Sequence, residues 1–365
     1  MPAQKRVTLQ DIADALGISR GTVDRVMHGR GRVAAATQDR IIEKARELGY
    51  VPNQSARMLA LRRTLRVAVL RPARPRAFFQ AIAQGVRTAN DELLGFGLTV
   101  EERTTGAHDV DLQADQLQEV IDEGFDGIAL VPAHRSRLNP IIAEAAASGI
   151  PVVTFNTDAP ESERLLFVGQ DLYRSGRVAG ELLGRFVGCT GRVALLTGFV
   201  GLWAHQERVR GITDSIAEYF PNVQITGPLE FHDDVERAAT FTRRLLAEDP
   251  SIRGFVSTAG SGHVAVARVL LERSLAGTVQ NIGYDLDDEI RDLMHRNAIQ
   301  ASIGQDPFSQ GYYAVKLLFH DLTSTGERVT GPYHTKTEVL LRSTIDDVAP
   351  ENELYFRIYS RGESL

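Results

Sequence analysis

The stretch TLQDIADALGISRGTVDRV, residues 8–26, decides the fold of the amino-terminal part of the chain. Ile12 and Leu16 are spaced four apart, as on one face of a helix, and Gly17 can end that helix in the left-handed conformation. Ser19 can cap the helix that follows. Two short helices joined by a turn that contains glycine, the second of them basic, predict a helix-turn-helix.

A third helix and a linker complete this amino-terminal region. The helix is expected from about Ala35 to Leu48. Its predicted apolar stripe consists of Ile41, Ile42, Ala45 and Leu48. The segment VPNQSARMLALRRT, residues 51–64, has a proline near its start and can form one or two helical turns. We therefore assign residues 1–50 to a helix-turn-helix domain and residues 51–64 to a hinge helix and linker.

Charge is distributed unevenly along the chain. Residues 1–63 contain twelve cations and six carboxylates, a net charge of +6, whereas the complete chain has a net charge of −6. The remaining residues therefore have a net charge of −12 and repel nucleic acid. This leaves the amino-terminal domain as the part that can meet a polyanion.

From Leu65 onward, short apolar strands alternate with amphipathic helices for about 270 residues. Such alternation is typical of parallel sheets that helices cover on both faces. The length favours two sheets, and hence two α/β lobes with a cleft at the carboxyl ends of their strands. Within a core that spans residues 65–365, we place lobe 1 at about 65–170 and 304–332, and lobe 2 at about 171–303 and 333–348.

Composition and motifs argue against several classes of protein. Because Cys189 is the single cysteine, there is no internal disulfide or cysteine metal cluster, and we expect no metal and no cofactor. GSGH at 260–263 is too short for a dinucleotide-binding fingerprint, and GxSxG and HExxH motifs are absent, so we expect no enzyme. The amino terminus lacks the apolar region of a secretory signal, and no stretch of about 18 apolar residues occurs. We expect a cytoplasmic protein without membrane contact; a solute-binding protein, which requires export, is an alternative.

The run TLQDIADALGISRGTVDRV, with RIIEKARELGYVPNQSARMLA after it, resembles the DNA-binding head of the LacI family of bacterial transcription regulators. The remainder, in phrases such as PVVTFNTDAP and IGQDPFSQGYYAV, resembles the effector-binding core of that family, which shares the fold of periplasmic sugar-binding proteins. The resemblance spans nearly the whole chain. It implies a multidomain protein in which an all-α helix-turn-helix head and a hinge helix precede a two-lobed α/β core with parallel sheets.

The resemblance also implies roles for residues of the head. In the family, residues that open the second helix reach base edges, where arginine can pair bidentately with guanine. Threonines near helix starts contact phosphate, and a hinge leucine, here Leu59, wedges into the minor groove. The matching DNA-binding positions are Thr8, Ser19, Arg20, Gly21, Thr22, Arg25, Thr37, Asn53, Ala56 and Leu59. Arg20 and Arg25 are the expected base readers; contact with phosphate or solvent alone is the alternative.

Two positions of the head depart from the family pattern. Asp24 stands where serine is usual, and a carboxylate beside phosphate is repulsive, so Asp24 either pairs with an arginine or marks a subgroup with its own operator. Ala34 stands where a serine usually caps the third helix, and loss of such a cap costs about 0.5–2 kcal/mol, which the fold should survive.

Polar and aromatic residues at the ends of core strands are candidates for effector binding. Planar polar groups can bridge the hydroxyls of a sugar, and aromatic faces can cover its C–H surfaces. The candidates are Phe78, Phe79, Asn156, Asp158, Asp171, Arg208, Thr258, Asp285 and Gln305, with Trp203 and His205 as further residues that can line lobe 2. The resemblance places Asn156, Asp158, Arg208, Asp285 and Gln305 where family members commonly hydrogen-bond the ligand. Each residue alone can instead be a helix cap or a solvated group.

Together these features predict a homodimeric, ligand-controlled regulator that binds a pseudo-palindromic operator in double-stranded DNA. Two linked heads gain effective concentration and phosphate contacts, and the tail ENELYFRIYSRGESL has no leucine heptad that would favour a tetramer. We expect a repressor of a carbohydrate uptake or catabolism operon whose effector is a monosaccharide or polyol. A purine or a phosphorylated effector is the alternative, and the sequence does not give the direction of the response.

Overall fold

The structure, a computed structural model, describes residues 7–27, 33–48, 64–106, 109–324 and 328–346. The expected hinge residues Asn53, Ala56 and Leu59 lie outside the described residues. The chain forms two compact units, one mainly from the residues before Leu65 and the other mainly from those after it.

The amino-terminal unit contains three helices, α1 (Leu9–Leu16), α2 (Arg20–Met27) and α3 (Ala35–Glu47). A capping box begins α1: the backbone N–H of Thr8 donates to the Asp11 carboxylate at 2.7 Å, and the Asp11 N–H donates to the Thr8 hydroxyl at 3.3 Å. Gly17 ends α1 with φ 63°, the left-handed conformation expected of it. The three helices pack around a core that includes the buried residues Ile12, Ala13, Val23, Ile41 and Ala45. The predicted helix-turn-helix is confirmed.

Helix α3 buries only half of its expected apolar stripe. Ile41 and Ala45 are buried, but Ile42 is 49% exposed and Leu48 is 37% exposed. A bundle of three short helices has too little opposing surface to cover a wider stripe. Ala34 precedes α3, and because its methyl group cannot accept a hydrogen bond, this helix has no side-chain cap at its amino end.

Most strands of the core are followed by a helix. Its helices are α4 (Arg76–Leu94), α5 (Val110–Asp122), α6 (Arg135–Ala147), α7 (Leu172–Phe186), α8 (Trp203–Tyr219), α9 (Val235–Glu248), α10 (Gly260–Glu272), α11 (Asp288–His295) and α12 (Pro307–Thr323). Its strands are β1 (Leu65–Pro72), β2 (Leu98–Thr105), β3 (Gly127–Leu130), β4 (Val152–Phe155), β5 (Leu166–Gly169), β6 (Gly191–Thr197), β7 (Val223–Glu230), β8 (Ile252–Ser257), β9 (Gln280–Tyr284), β10 (Ala301–Gly304), β11 (Tyr333–His334) and β12 (Glu338–Leu340). Among the described residues, we find no helix with both the length and the apolar character that a bilayer crossing requires.

These strands form two six-stranded sheets, one in each lobe. The sheet of lobe 1 has the order β11-β5-β4-β3-β1-β2, and the sheet of lobe 2 has the order β12-β10-β9-β8-β6-β7. All neighbouring strands are parallel except β10 and β12; the central strands β3 and β4 are buried along their length, as is β8 apart from Arg253. The expected two-lobed α/β architecture is confirmed. The boundary expected at residue 333 differs by two residues, because Tyr333 and His334 pair with β5 of lobe 1.

Helices α7 and α8 of lobe 2 touch along a ridge of glycines. A Cβ atom on Gly176 would lie 2.4 Å from the carbonyl oxygen of Arg208, and one on Gly211 would lie 2.1 Å from the carbonyl oxygen of Tyr173. Both distances are shorter than real contacts to Cβ, so the two backbones approach each other more closely than any larger residue allows.

Candidate functional site

The exposed face of α2 is the first candidate site. Ser19 lies directly before the helix: its hydroxyl accepts the Thr22 N–H at 3.1 Å and lies 2.9 Å from the Thr22 hydroxyl. Val23 is buried in the core of the head, so α2 presents its opposite side, with Arg20, Gly21 and Arg25, to solvent. The cap and the buried valine thus fix the orientation of the basic face.

Arg25 lies along its own helix. Its Nε donates to the carbonyl oxygen of Gly21 at 3.2 Å, and its Nη2 donates to the hydroxyl of Thr22 at 3.3 Å. These bonds are exposed, and they leave the guanidinium on the surface where a duplex can approach. A Cβ on Gly21 would meet only the Ser19 hydroxyl, at 4.0 Å, so the space above Gly21 is open. This surface can admit a nucleic-acid backbone at close range.

The other predicted positions of the head have local roles. The Thr8 side chain is engaged by the capping box, and Thr37 lies half-buried in the first turn of α3. Asp24 is half-buried on α2. The structure thus brings Ser19, Arg20, Gly21, Thr22 and Arg25 together at one helix and the residue before it, while Thr8 caps α1 and Thr37 lies in the first turn of α3.

The second candidate site is a polar network at the carboxyl ends of the core strands. Its centre is the Gln305 side chain, whose Oε1 accepts from Arg208 Nη2 and whose Nε2 donates to Asp285 Oδ1. Gln305 follows β10, Asp285 follows β9, and Arg208 comes from the second turn of α8. One amide therefore bridges a guanidinium and a carboxylate.

Arg208 is held from several sides although it is 4% exposed. Its Nη1 donates to the carbonyl oxygen of Thr258 at 3.0 Å, its Nη2 reaches Gln170 Oε1 at 3.5 Å, and its guanidinium lies 4.0 Å from the centroid of the Tyr284 ring. Its buried Nε has no hydrogen-bond partner among the described residues. One donor of Arg208 is therefore unpaired among the described residues.

Two further residues extend the network to lobe 1. Asn156, after β4, donates from Nδ2 to Gln310 Oε1 at 3.1 Å, and Gln310 donates from Nε2 to the carbonyl oxygen of Gln305 at 2.8 Å. Asn156 and Asp285 both have left-handed backbones, with φ 64° and 76°. Such sparsely populated conformations often occur at functional sites, where the surrounding structure holds them in place.

Burial sets the ionisation of this network. Desolvation raises the pKa of Asp285 to about 6, although Arg208 and the Gln305 amide favour its ionised form. Desolvation also lowers the pKa of Arg208 and raises that of the Tyr284 hydroxyl. Since Arg208 is buried and Asp285 is half-buried, their hydrogen bonds to the Gln305 amide replace part of their lost hydration.

The remaining candidates of the core occupy other positions. Asp158 accepts from Thr154 and from the Ala159 N–H, and it pairs with both Nε and Nη2 of Arg164 at 2.5 and 2.6 Å. Asp171 caps α7 by accepting the Arg174 N–H at 2.9 Å. Through these bonds Asp158 and Asp171 stabilise the local structure, and their part in effector binding stays a prediction.

The aromatic candidates and Thr258 also have defined surroundings. Phe79 is buried, and Phe78 packs edge-on to it on α4, with ring centroids 5.4 Å apart. The Thr258 hydroxyl lies 2.9 Å from His205 Nδ1 and 3.1 Å from the Thr197 hydroxyl. Thr258 thus joins the network through its carbonyl oxygen rather than through its side chain.

The chain matches two family models over these two units. Residues 8–53 match the bacterial regulatory proteins of the lacI family, and residues 67–326 match the periplasmic binding protein domain. HTH-type transcriptional regulator CelR of Thermobifida fusca is 28% identical over 341 residues, which cover 88% of this chain and 94% of CelR. The chain belongs to the LacI family of bacterial transcription regulators. The ribose operon repressor of Bacillus subtilis is a second relative of this LacI-family regulator, 26% identical over 85% of the chain and 90% of the repressor.

Solved structures resemble the core of this LacI-family regulator. GanP, a glucose-galactose binding protein from Geobacillus stearothermophilus, is 26% identical with a TM-score of 0.71, over 77% of this chain and 99% of GanP. A solute-binding protein of Burkholderia graminis in complex with D-arabinose shares the fold, with a TM-score of 0.73 at 24% identity, over 78% of this chain and 97% of that protein. These similar proteins are transcription regulators and sugar-binding proteins.

Several residues of the network in this LacI-family regulator were not predicted. Gln170, fully buried, donates to the Gly304 carbonyl oxygen at 3.1 Å and faces Arg208, and Gln310 joins Asn156 to Gln305. Gln170 follows β5 directly, which is the signal that could have identified it. Gln310 lies inside α12 and is brought to the cleft only by the packing of that helix.

Proposed function

We propose that this LacI-family regulator represses a carbohydrate uptake or catabolism operon and that a neutral monosaccharide or polyol in the interlobe cleft changes its affinity for the operator. The named functions of its relatives support a carbohydrate effector: one represses a ribose operon, and one solved structure of the same fold holds D-arabinose. The cleft contains the groups that such a ligand needs.

The bridging amide of Gln305 is the observation that supports a neutral ligand. It accepts from Arg208 and donates to Asp285 at the same time. A sugar hydroxyl, or two adjacent hydroxyls, can accept and donate in the same way. A phosphate or carboxylate offers acceptors alone and would place a second negative charge beside the Asp285 carboxylate. The network therefore favours a hydroxyl-bearing neutral ligand over a phosphorylated one.

The head accounts for the other half of the proposal. Arg20 and Arg25 lie exposed on α2, the helix that enters the major groove in helix-turn-helix proteins. We infer a homodimer in the cytoplasm that binds a pseudo-palindromic operator, since one head contacts few base pairs and two linked heads bind with a higher effective concentration. The chain acts as a binding protein rather than an enzyme in this proposal.

A thermal-shift panel with the full-length protein tests the effector. The panel contains D-ribose, D-arabinose, D-glucose, ribitol, ribose 5-phosphate and adenine. A ligand at about 100 times its Kd adds about 2.7 kcal/mol to the free energy of unfolding, enough to raise Tm by several degrees. We expect one neutral sugar or polyol to do so and Asp285→Asn to remove its effect, while Asp115→Asn, at an exposed position on α5, retains it. Stabilisation by ribose 5-phosphate or adenine alone would refute a neutral effector.

Selection from a pool of random DNA duplexes tests whether the protein recognises a specific operator sequence. The wild type should enrich a sequence whose two halves are related by a twofold axis, and Arg25→Ala should lose preference at one base pair of each half. Enrichment of a single, unpaired half-site would contradict the dimer, and no enrichment at all would contradict specific DNA binding.

A further inference from the structure

A second set of contacts joins the lobes at the rim of the cleft. Arg135 is the first residue of α6 in lobe 1, and Trp203 is the first residue of α8 in lobe 2. The guanidinium carbon of Arg135 lies 4.5 Å from the centroid of the Trp203 ring. Trp203 also packs against the apolar cluster of Phe167, Leu172 and Ala204, which contains residues of both lobes. The indole is thus held between a lobe 1 cation and an interlobe apolar surface.

The residues next to Trp203 contact lobe 1 as well. The backbone N–H of Ala204 donates to the hydroxyl of Thr157, in the loop after β4, at 3.1 Å, and both residues are buried. A Cβ atom on Gly201 would lie 3.0 Å from Cδ2 of His134. The amino end of α8 is therefore seated on lobe 1 at several neighbouring points.

Arg135 is suited to this contact because no carboxylate in the described part of the chain forms a salt bridge with it. Arg137, two residues further along α6, instead pairs with Asp111 within lobe 1 at 3.4 Å. A guanidinium over the face of an indole is attracted by the ring quadrupole, more strongly where water is partly excluded. Arg135 is half-buried, and its stacking on Trp203 adds an attraction between the lobes.

We propose that the pair Arg135 and Trp203, the rim contact, holds the lobes closed and that Arg135 thereby sets the effector affinity of the cleft without touching the effector. Arg135 is then a positioning residue. The apparent affinity for a ligand that needs closed lobes is reduced in proportion to the fraction of molecules in the closed form. Trp203 and Arg208 belong to the same helix, so opening the rim also moves Arg208 away from Gln170 at the end of β5 in lobe 1. The part of this inference that concerns the effector rests on the proposed function.

The Ala204 amide provides a test that needs no ligand. The first N–H groups of a helix have no acceptor within the helix, and the acceptor of this one is Thr157 in the other lobe. Its hydrogen exchange in the full-length protein therefore reports separation of the lobes. We expect Arg135→Gln to accelerate this exchange about fivefold, Arg135→Lys to restore it in part, and Arg137→Gln to leave it unchanged. Equal exchange in wild type and Arg135→Gln would overturn the rim contact.

Titration calorimetry with D-ribose, D-arabinose and D-glucose tests the second part. We expect Arg135→Gln to weaken every sugar that binds by the same factor, about fivefold, and to preserve their order of affinity. A changed order would mean that Arg135 touches the ligand, which overturns its role as a positioning residue. If the wild type binds none of these three sugars, none of them is the effector; the thermal-shift panel then decides the proposed function, and the Ala204 exchange decides the rim contact.

Discussion

Replacing Asp285 by asparagine should change how the stability of the ligand-free protein depends on pH. Burial raises the pKa of Asp285 from 3.8 to about 6 in the folded chain. Between these two pKa values the folded protein keeps a proton that the unfolded chain has lost. The free energy of unfolding therefore falls as the pH rises through this window, and it becomes independent of this group above about pH 6.

The size of the effect follows from the shift. A difference of about two pKa units corresponds to about 3 kcal/mol over the complete window, since each unit corresponds to about 1.4 kcal/mol. From pH 4.5 to pH 7.5 the carboxyl accounts for about 2 kcal/mol of lost stability, because part of the window lies below pH 4.5. Asp285 is half-buried, so screening by solvent makes this figure an upper value.

Urea unfolding of wild type, Asp285→Asn and Asp115→Asn across this pH range measures the effect. The free energy of unfolding of wild type minus that of Asp285→Asn should decrease by about 2 kcal/mol as the pH rises. The same difference for Asp115→Asn, at an exposed position on α5, should stay constant. Because only the change of this difference with pH is compared, any pH-independent loss of stability from the bonds of Asp285 to Gln305 and Gly260 cancels. A constant difference between wild type and Asp285→Asn would refute a desolvated, proton-retaining carboxyl.

Three further predictions concern packing, DNA reading and a buried imidazole. Gly211→Ala places a methyl group against the carbonyl oxygen of Tyr173, so we expect a loss of roughly 1–3 kcal/mol in thermal unfolding, whereas Gly95→Ala, with open space around it, should be close to neutral. Arg25→Ala should weaken operator binding by about 1–3 kcal/mol in fluorescence anisotropy and leave binding to random DNA much less affected; equal loss on both DNAs would indicate phosphate contact alone. Burial lowers the pKa of His263 to about 3 and leaves both ring nitrogens without a partner among the described residues, so His263→Leu should raise Tm. The increase in Tm should be larger at pH 5 than at pH 8, because the imidazole of the unfolded chain gains a proton as the pH falls below its ordinary pKa of 6.5, which destabilises the folded wild type.

The features of the head that the sequence predicted depend on interactions between residues close together in the chain. Thr8 and Asp11 form their capping box within four residues, and Gly17 ends α1 by its own conformational freedom. The exposure of Ile42 and Leu48 depends instead on how much surface three short helices offer one another. Helical periodicity gives the direction of each side chain but not the extent of the surface opposite it.

The polar network of the cleft likewise combines contacts that the sequence pattern predicts with contacts that it does not. Asp285 and Gln305 each follow a strand, so their meeting could be predicted from parallel strands that end at one edge of a sheet. Gln310 reaches the network from inside α12, and Asp158 is bonded to Arg164 six residues away. Both arrangements depend on tertiary packing and on the path of a loop, which strand and helix patterns do not specify.

The glycine ridge between α7 and α8 has a mechanical consequence. With backbone against backbone at Gly176 and Gly211, the two helices have no layer of side chains between them that could deform. Side chains in such a layer would absorb a small shift of one helix by changing rotamer. Here a displacement at the amino end of α8 reaches the Arg208 backbone, about 7.5 Å further along the helix, almost without loss. Helices α7 and α8 of lobe 2 therefore move as one rigid pair, which couples the position of the Trp203 end of α8 to that of the Arg208 guanidinium.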